Sequence, residues 1–218
     1  MGNNKEITNV SKATIGRMPA YLRYLKEKEG AGERTISSTA IAEDLRLNAV
    51  QVRKDLAVIS SVAGKPKLGF EIRELIRDIN RFLGYDNVTE AVLVGAGGLG
   101  SALAGYGGFK NYGLNIVAAF DKSPERIGRT INGVKIFDAK DLTHTVRRLN
   151  VLIGIIAVPG PAAQEVADEL VAGGVRAIWN FAPAHLALPP DIAVKNEDMA
   201  ASLAILSKRL AEILYNEK

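Results

Sequence analysis

Gly95-Ala96-Gly97-Gly98-Leu99-Gly100 is the stretch whose residue types and spacing point to the most specific chemistry. Glycines at Gly-x-Gly-x-x-Gly spacing, between an apolar run and a helix, let backbone N–H groups at a helix N-terminus approach a pyrophosphate. Without a Cβ, Gly95 permits a tight turn, Gly97 admits phosphate oxygens and Gly100 lets helix pack on strand. A second apolar run, residues 116–120, ends in Asp121, 21 residues after Gly100. A carboxylate there can accept hydrogen bonds from both hydroxyls of an adenosine ribose, and it repels a 2′-phosphate. NADPH should therefore bind worst of the dinucleotides. Glycine turns of other α/β domains share this spacing, and another adenosine ligand such as coenzyme A would fit the same sheet.

Groups that could act on a bound dinucleotide are scarce. A nicotinamide-dependent oxidoreductase needs an acid or base near the hydride acceptor. His144 lies in a polar helix and reads as a surface residue, while His185 follows Ala182-Pro183-Ala184 close to the expected crevice. His185 is the only reasonable acid/base candidate, and a structural role is the plainer reading. With no cysteine in the chain, disulfides, thiolate metal sites and cysteine nucleophiles are excluded. No metal cluster and no substrate domain stand out. The pattern suggests a dinucleotide binder with no catalytic residue and no metal. The competing reading is an NAD-dependent oxidoreductase with an accessory helical domain.

The elements that position these residues follow from hydrophobic period and turn residues. Apolar runs at 91–94, 115–120, 151–158, 177–181 and 192–194 alternate with helical stretches at 98–110, 140–149 and 162–172. Strands alternating with helices give a Rossmann-type parallel sheet covered on both sides, with ligands at the C-terminal strand ends. Asp121, Lys122, Val158, Pro159, Asn180 and Phe181 then share a crevice with Gly95 to Gly100. Thr130 to Phe137 reads as a hairpin turned at Asn132-Gly133. A last helix, about 197–215, carries Met199, Leu203, Leu206, Leu210 and Ile213 in a heptad-like stripe. It could pack on its own sheet or on a partner, and spacing leaves both open.

The N-terminal part differs in charge. Residues 1–86 hold 15 basic against 11 acidic residues, whereas 87–218 hold 13 of each, so the whole net charge of +4 lies in the first part. That asymmetry suggests an anionic partner for one domain. Ser11 can cap a helix to about residue 29, with Ile15, Met18, Tyr21, Leu22 and Leu25 on one stripe and Pro19 awkward inside it. Two short helices, 38–45 and 49–60, joined by Arg46-Leu47-Asn48, form a helix-turn-helix pattern. On the second helix Ala49, Val52, Leu56 and Ile59 fall on a core face. Val50, Lys54 and Ala57 lie opposite, flanked by Gln51 and Arg53. Those side-chain types meet phosphates and base edges in a major groove, although a solvated helix face would look similar. Residues 62–70 read as a hairpin with Lys65 and Lys67 at the tip, which makes the domain a winged helix. A helix over 71–83 closes it.

No apolar run reaches membrane-spanning length and the opening residues lack a signal-peptide core, so the expectation is a cytoplasmic protein with no membrane partner.

The chain resembles the Rex family of bacterial redox-sensing transcriptional repressors from Ser11 to the last helix. The resemblance rests on Ser37-Ser38, Gln51-Val-Arg53-Lys54-Asp55-Leu56, Val94 to Gly100, Val117 to Asp121, Ala157-Val-Pro159, Asn180-Phe-Ala-Pro183 and Asn196-Glu-Asp198. It implies an α/β homodimer with a winged helix-turn-helix domain at 1–86, an NAD(H)-binding Rossmann domain at 87–195 and a domain-swapped helix at 196–218. Such a dimer would grip double-stranded palindromic operator DNA with NAD⁺ or no cofactor, and NADH would release it. By position the resemblance makes Ser38, Gln51, Arg53, Lys54, Lys65 and Lys67 DNA contacts. Arg17, Tyr106 and Asp198 become switch residues, with the Asp changing partner between Arg and Tyr across subunits. Gly98 stands where the family usually has Asn, and the wing carries Pro66 and Leu68.

Overall fold

Ser11 accepts the Thr14 amide and opens α1, Lys12–Gly30, whose Met18, Tyr21, Leu22 and Leu25 are buried. The computed structural model describes residues 10–61, 69–87 and 89–216. Pro19 lies inside α1 without ending it. The residue four back, Ile15, is 42% exposed, so the turn that loses a donor lies on the wet side of the helix. Ile15 is thereby excluded from the core stripe expected of it.

The chain separates into two units, Met1–Asn87 and Val88–Lys218. In the first, β1 (Thr35–Ile36) leads to α2 (Ser38–Asp44), capped by Ser37. Asn48 then caps α3 (Ala49–Ile59) through the amides of Val50 and Gln51. Val52 and Leu56 are fully buried, whereas Ala49 is exposed. Ala49 begins the helix, before the stripe reaches its neighbours, and the wheel placed it on the core face wrongly. β2 (Phe70–Glu71) pairs antiparallel with β1. α4 (Ile72–Leu83) packs Ile72, Leu75 and Ile79 inward and ends at Gly84 in a left-handed turn. The hairpin tip with Lys65 and Lys67 lies outside the described residues.

In the second unit β3 (Thr89–Val94) runs through the glycine turn into α5 (Gly98–Gly105). A helix to residue 110 was expected, but α5 stops short and a 3-10 turn follows at Gly107–Tyr112. Glycines at 105, 107 and 108 account for the break. The chain continues through β4 (Leu114–Asp121), β5 (Thr130–Ile131), β6 (Val134–Asp138), α6 (Leu142–Leu149) and β7 (Ile153–Ile156). It ends with α7 (Ala163–Gly173), β8 (Ala177–Asn180), β9 (Ala193–Asn196) and α8 (Met199–Asn216). The strand order is β5-β6-β4-β3-β7-β8-β9, and only β5 is antiparallel to its neighbour. Val92, Phe120, Ile156, Val146 and Leu170 fill the core on the α6–α7 face, while Leu93, Ile155 and Ile136 face the other way.

The connections reverse direction between β3 and β7. Loops leaving those two strands diverge there and open a crevice at the C-terminal sheet edge. α8 does not pack on the sheet: every described residue of it is exposed, with Met199 at 64% and Leu206 at 65%. No described helix is long and apolar enough to cross a membrane.

Candidate functional site

Each glycine of the turn does what its missing Cβ allows. Gly95 has φ +99°, and a Cβ there would lie 2.4 Å from the Ala157 carbonyl oxygen of the neighbouring strand's loop. A Cβ on Gly100 would lie 1.8 Å from the Gly95 carbonyl oxygen. These two glycines hold the fold together. A Cβ on Gly97 or Gly98 would meet nothing within 4 Å, so the fold does not require glycine at either position. The open space at Gly97 faces the N-terminus of α5, which no side chain caps. Uncapped amides, the helix dipole and a bare backbone suit a pyrophosphate. Leu99 is partly exposed beside them. The residues present therefore fit a dinucleotide.

Asp121 ends β4 and is 7% exposed. Its Oδ2 accepts the Ala96 amide at 2.8 Å and its Oδ1 accepts the Ser123 amide at 2.8 Å. Burial pushes this carboxyl up, but the two amides and Arg126, 3.2 Å away, outweigh it and hold the group below its ordinary value. A carboxylate offers about four acceptor positions. Three are engaged, which leaves room for about one ribose hydroxyl unless Arg126 moves. Asp121 thus ties the glycine turn to β4 as well as facing the crevice. Lys122 beside it is exposed.

Across the crevice, Val158 is half-buried against Gly95 and Pro159 is exposed. Asn180 is fully buried. Its amide donates to the Ala182 and Ala184 carbonyls and to Asn196, and its carbonyl accepts the Ala182 amide. It therefore shapes the turn from 180 to 184 through contacts within the chain. Phe181 begins an aromatic row: Phe181–Trp179 at 4.9 Å, Trp179–Phe109 at 5.4 Å and Phe109–Tyr106 at 4.9 Å. Trp179 Nε1 donates to Glu197 at 2.8 Å, next to Asp198. Asp198 accepts the Ala201 amide and caps α8. Tyr106 is 56% exposed.

In the first unit Arg53 and Lys54 project from α3 into solvent, and half-buried Ser38 opens α2. The main feature here, unseen in the sequence, is Asp55. It is 1% exposed and accepts from Thr14, Arg17, Tyr21 and Gln51 at 2.7–3.1 Å. Burial pushes Asp55 up, yet Arg17, Gln51, Tyr21 and Thr14 together hold it below its ordinary value. Burial, then Asp55, push the Tyr21 hydroxyl up to about 12. Arg17 is thus held inside its own unit, and its pKa is raised by that contact. Arg17, Lys54, Gln51, Val50, Asn48 and Leu47 line an open groove of about 510 Å³.

Two tyrosine–lysine pairs of spacing four, Tyr24–Lys28 and Tyr106–Lys110, have the residue types of a dehydrogenase couple. Tyr106 has non-helical φ −76°, ψ 96°, so Lys110 does not share a helix face with it. Lys28 lies over the Tyr24 ring and pairs with Glu33 and Asp44. Both histidines are exposed. Among the described residues no group of three His, Asp or Glu side chains could hold a metal.

Comparisons with known proteins agree on both halves. A family described as "CoA binding domain" matches residues 86–184, and one described as "Putative DNA-binding protein N-terminus" matches residues 9–57. A redox-sensing transcriptional repressor Rex from Bacteroides fragilis is 40% identical, covering 95% of this chain and 94% of the relative. Another, from Clostridium beijerinckii, is 42% identical over 94% and 96%. The Rex-family repressor RSP, solved with β-NAD⁺ and operator DNA, superposes with a TM-score of 0.89 at 36% identity, covering 96% and 97%. RSP with β-NADH gives 0.86 at 35% identity, covering 96% and 99%.

Proposed function

This chain belongs to the Rex family of redox-sensing transcriptional repressors, and from that premise we propose that it represses transcription according to the cellular NADH/NAD⁺ ratio. In this reading residues 1–86 bind operator DNA, residues 87–195 bind NAD(H) and residues 196–218 join two copies. The observation that carries it is the crevice itself. A cradle open at Gly97 stands at the switch point, with Asp121 at the end of the neighbouring strand. In this reading the dinucleotide is held to be sensed and the protein works on DNA in the cytoplasm.

The backbone of Gly97 to Leu99 would hold the pyrophosphate and Asp121 one ribose hydroxyl. Val158, Pro159 and the 180–184 turn would wall the nicotinamide side. The bound cofactor supplies a ring that is cationic when oxidised and neutral when reduced. To act as a switch the protein must bind these two forms differently in two arrangements. Asp198 is the carboxylate suited to that difference. It would exchange between Arg17 and Tyr106 across a dimer, in competition with Asp55 for Arg17 and with the α8 amides for itself. The apolar stripe of α8, exposed along its whole length, supports a second copy as its partner. Arg53, Lys54, Lys65 and Lys67 would meet phosphates and bases, with Ser38 on the backbone.

Calorimetry with NADH, NADPH and coenzyme A tests the ligand. NADH should bind tightest of the three, and preferential binding of coenzyme A would overturn the sensor reading. NADH formation with any substrate that vanishes in His185→Ala would instead favour an oxidoreductase.

A further inference from the structure

The exposed face of α3 holds two neighbouring side chains whose surroundings are specific. Gln51 is exposed in the first turn of the helix, yet its Nε2 donates to Asp55 Oδ1 at 2.9 Å. Asp55 is buried and ionised, so it can only accept. The Gln51 amide therefore has one orientation, with nitrogen toward Asp55 and oxygen away. A primary amide has two N–H groups and one carbonyl. Asp55 takes one N–H and leaves one N–H beside the carbonyl, both on the groove side. Val50 next to it is 48% exposed and lines the same groove, flanked by the cations Arg17 and Lys54.

A fixed donor beside a fixed acceptor matches one base edge in a major groove. Adenine presents the N7 acceptor and the N6 amino donor, guanine presents two acceptors, and thymine carries the only methyl group. We propose that Gln51 and Val50 read an adenine and an adjacent thymine methyl, with Asp55 as the positioning residue that fixes the Gln51 amide. The proposal rests on the DNA-binding function above but concerns base specificity rather than redox response. Its energetic logic is pre-organisation: the amide is oriented before DNA arrives, so little rotamer freedom is lost on binding.

The test uses the full chain with NAD⁺ and a site selected from random duplex DNA. Each adenine is then replaced by 7-deazaadenine and each thymine by deoxyuridine, singly in each half-site. For the native chain, one 7-deazaadenine should weaken binding about 5- to 100-fold. One neighbouring deoxyuridine should weaken it about fourfold. Gln51→Ala should bind weakly and lose the first sensitivity, and Val50→Ala should lose only the second. Both side chains are exposed and Asp55 keeps Thr14, Arg17 and Tyr21 as donors, so these variants keep the fold. Asp55→Asn lets the facing amide donate as well as accept. It should reduce discrimination between adenine and guanine at that position while leaving the salt dependence of binding unchanged. If the native chain selects a tight site yet tolerates every 7-deazaadenine, the reader is wrong and the repressor function stands. If no sequence is selected at all, both fall.

Discussion

Asp55 in the first unit and Asp121 in the second are both buried, and they are built in opposite ways. Asp121 is held mostly by main chain, the Ala96 and Ser123 amides, and steadies a turn whose other requirements are missing Cβ atoms. Asp55 is held entirely by side chains, from Thr14, Arg17 and Tyr21 on α1 and Gln51 on its own helix. The nucleotide cradle is thus a backbone device that works with few residue choices. α3 is oriented by a polar network in which each member matters to the others.

Substitutions can break this comparison. The largest effect is expected for Gly100→Ala, whose Cβ would meet the Gly95 carbonyl oxygen; it should cost at least about 3 kcal/mol and abolish NADH binding. Thermal unfolding with NADH titration measures both. Gly97→Ala should leave the melting temperature unchanged but weaken NADH about tenfold or more, since the space it fills belongs to the ligand. Equal behaviour of the two variants would contradict the division of labour within the turn. Asp55→Ala should destabilise the first unit by about 2–3 kcal/mol, below the full cost of a buried pair because the Arg17 side chain is 24% exposed. Thermal unfolding of the variant measures this.

The two regions also differ in pH response. Asp55 and Asp121 are both held below the ordinary carboxylate value, so unfolded chain takes up protons more readily than folded. Their contribution is full above about pH 4 and is lost as pH falls through the lower folded values. Tyr21 and Tyr24 run the other way, both raised to about 12. Stability from them is full below about pH 10 and is lost as pH rises through the folded values. Absorbance titration of tyrosinate should show both ionising late. The smallest effect is that of Lys54→Ala, which should weaken operator binding evenly across sequences and lower the salt slope by about one.

How much was legible in the sequence follows the same contrast. A turn that needs glycine at fixed positions writes that need locally, so the requirement at Gly95 and Gly100 could be read from spacing. The strand-and-helix alternation was legible for the same reason. The Asp55 network was not, because Thr14 and Tyr21 lie 41 and 34 residues away and no short-range pattern joins them. Ala49 and Ile15 were misplaced because a helical wheel knows period but not which end of a helix has neighbours. The sequence placed Asn180 in the crevice lining and could not show that its amide serves the turn from 180 to 184. Arg126, which pairs with Asp121 and offsets its charge, carried no local signal.

The most direct test of the account is operator affinity measured at several NADH/NAD⁺ ratios, by titrating labelled duplex with the full chain. A coupling of about 1–3 kcal/mol predicts affinity falling about 5- to 150-fold as NADH replaces NAD⁺, with NADH bound correspondingly more weakly in the presence of operator. Equal operator affinity at all ratios, with both nucleotides shown to bind, would contradict it.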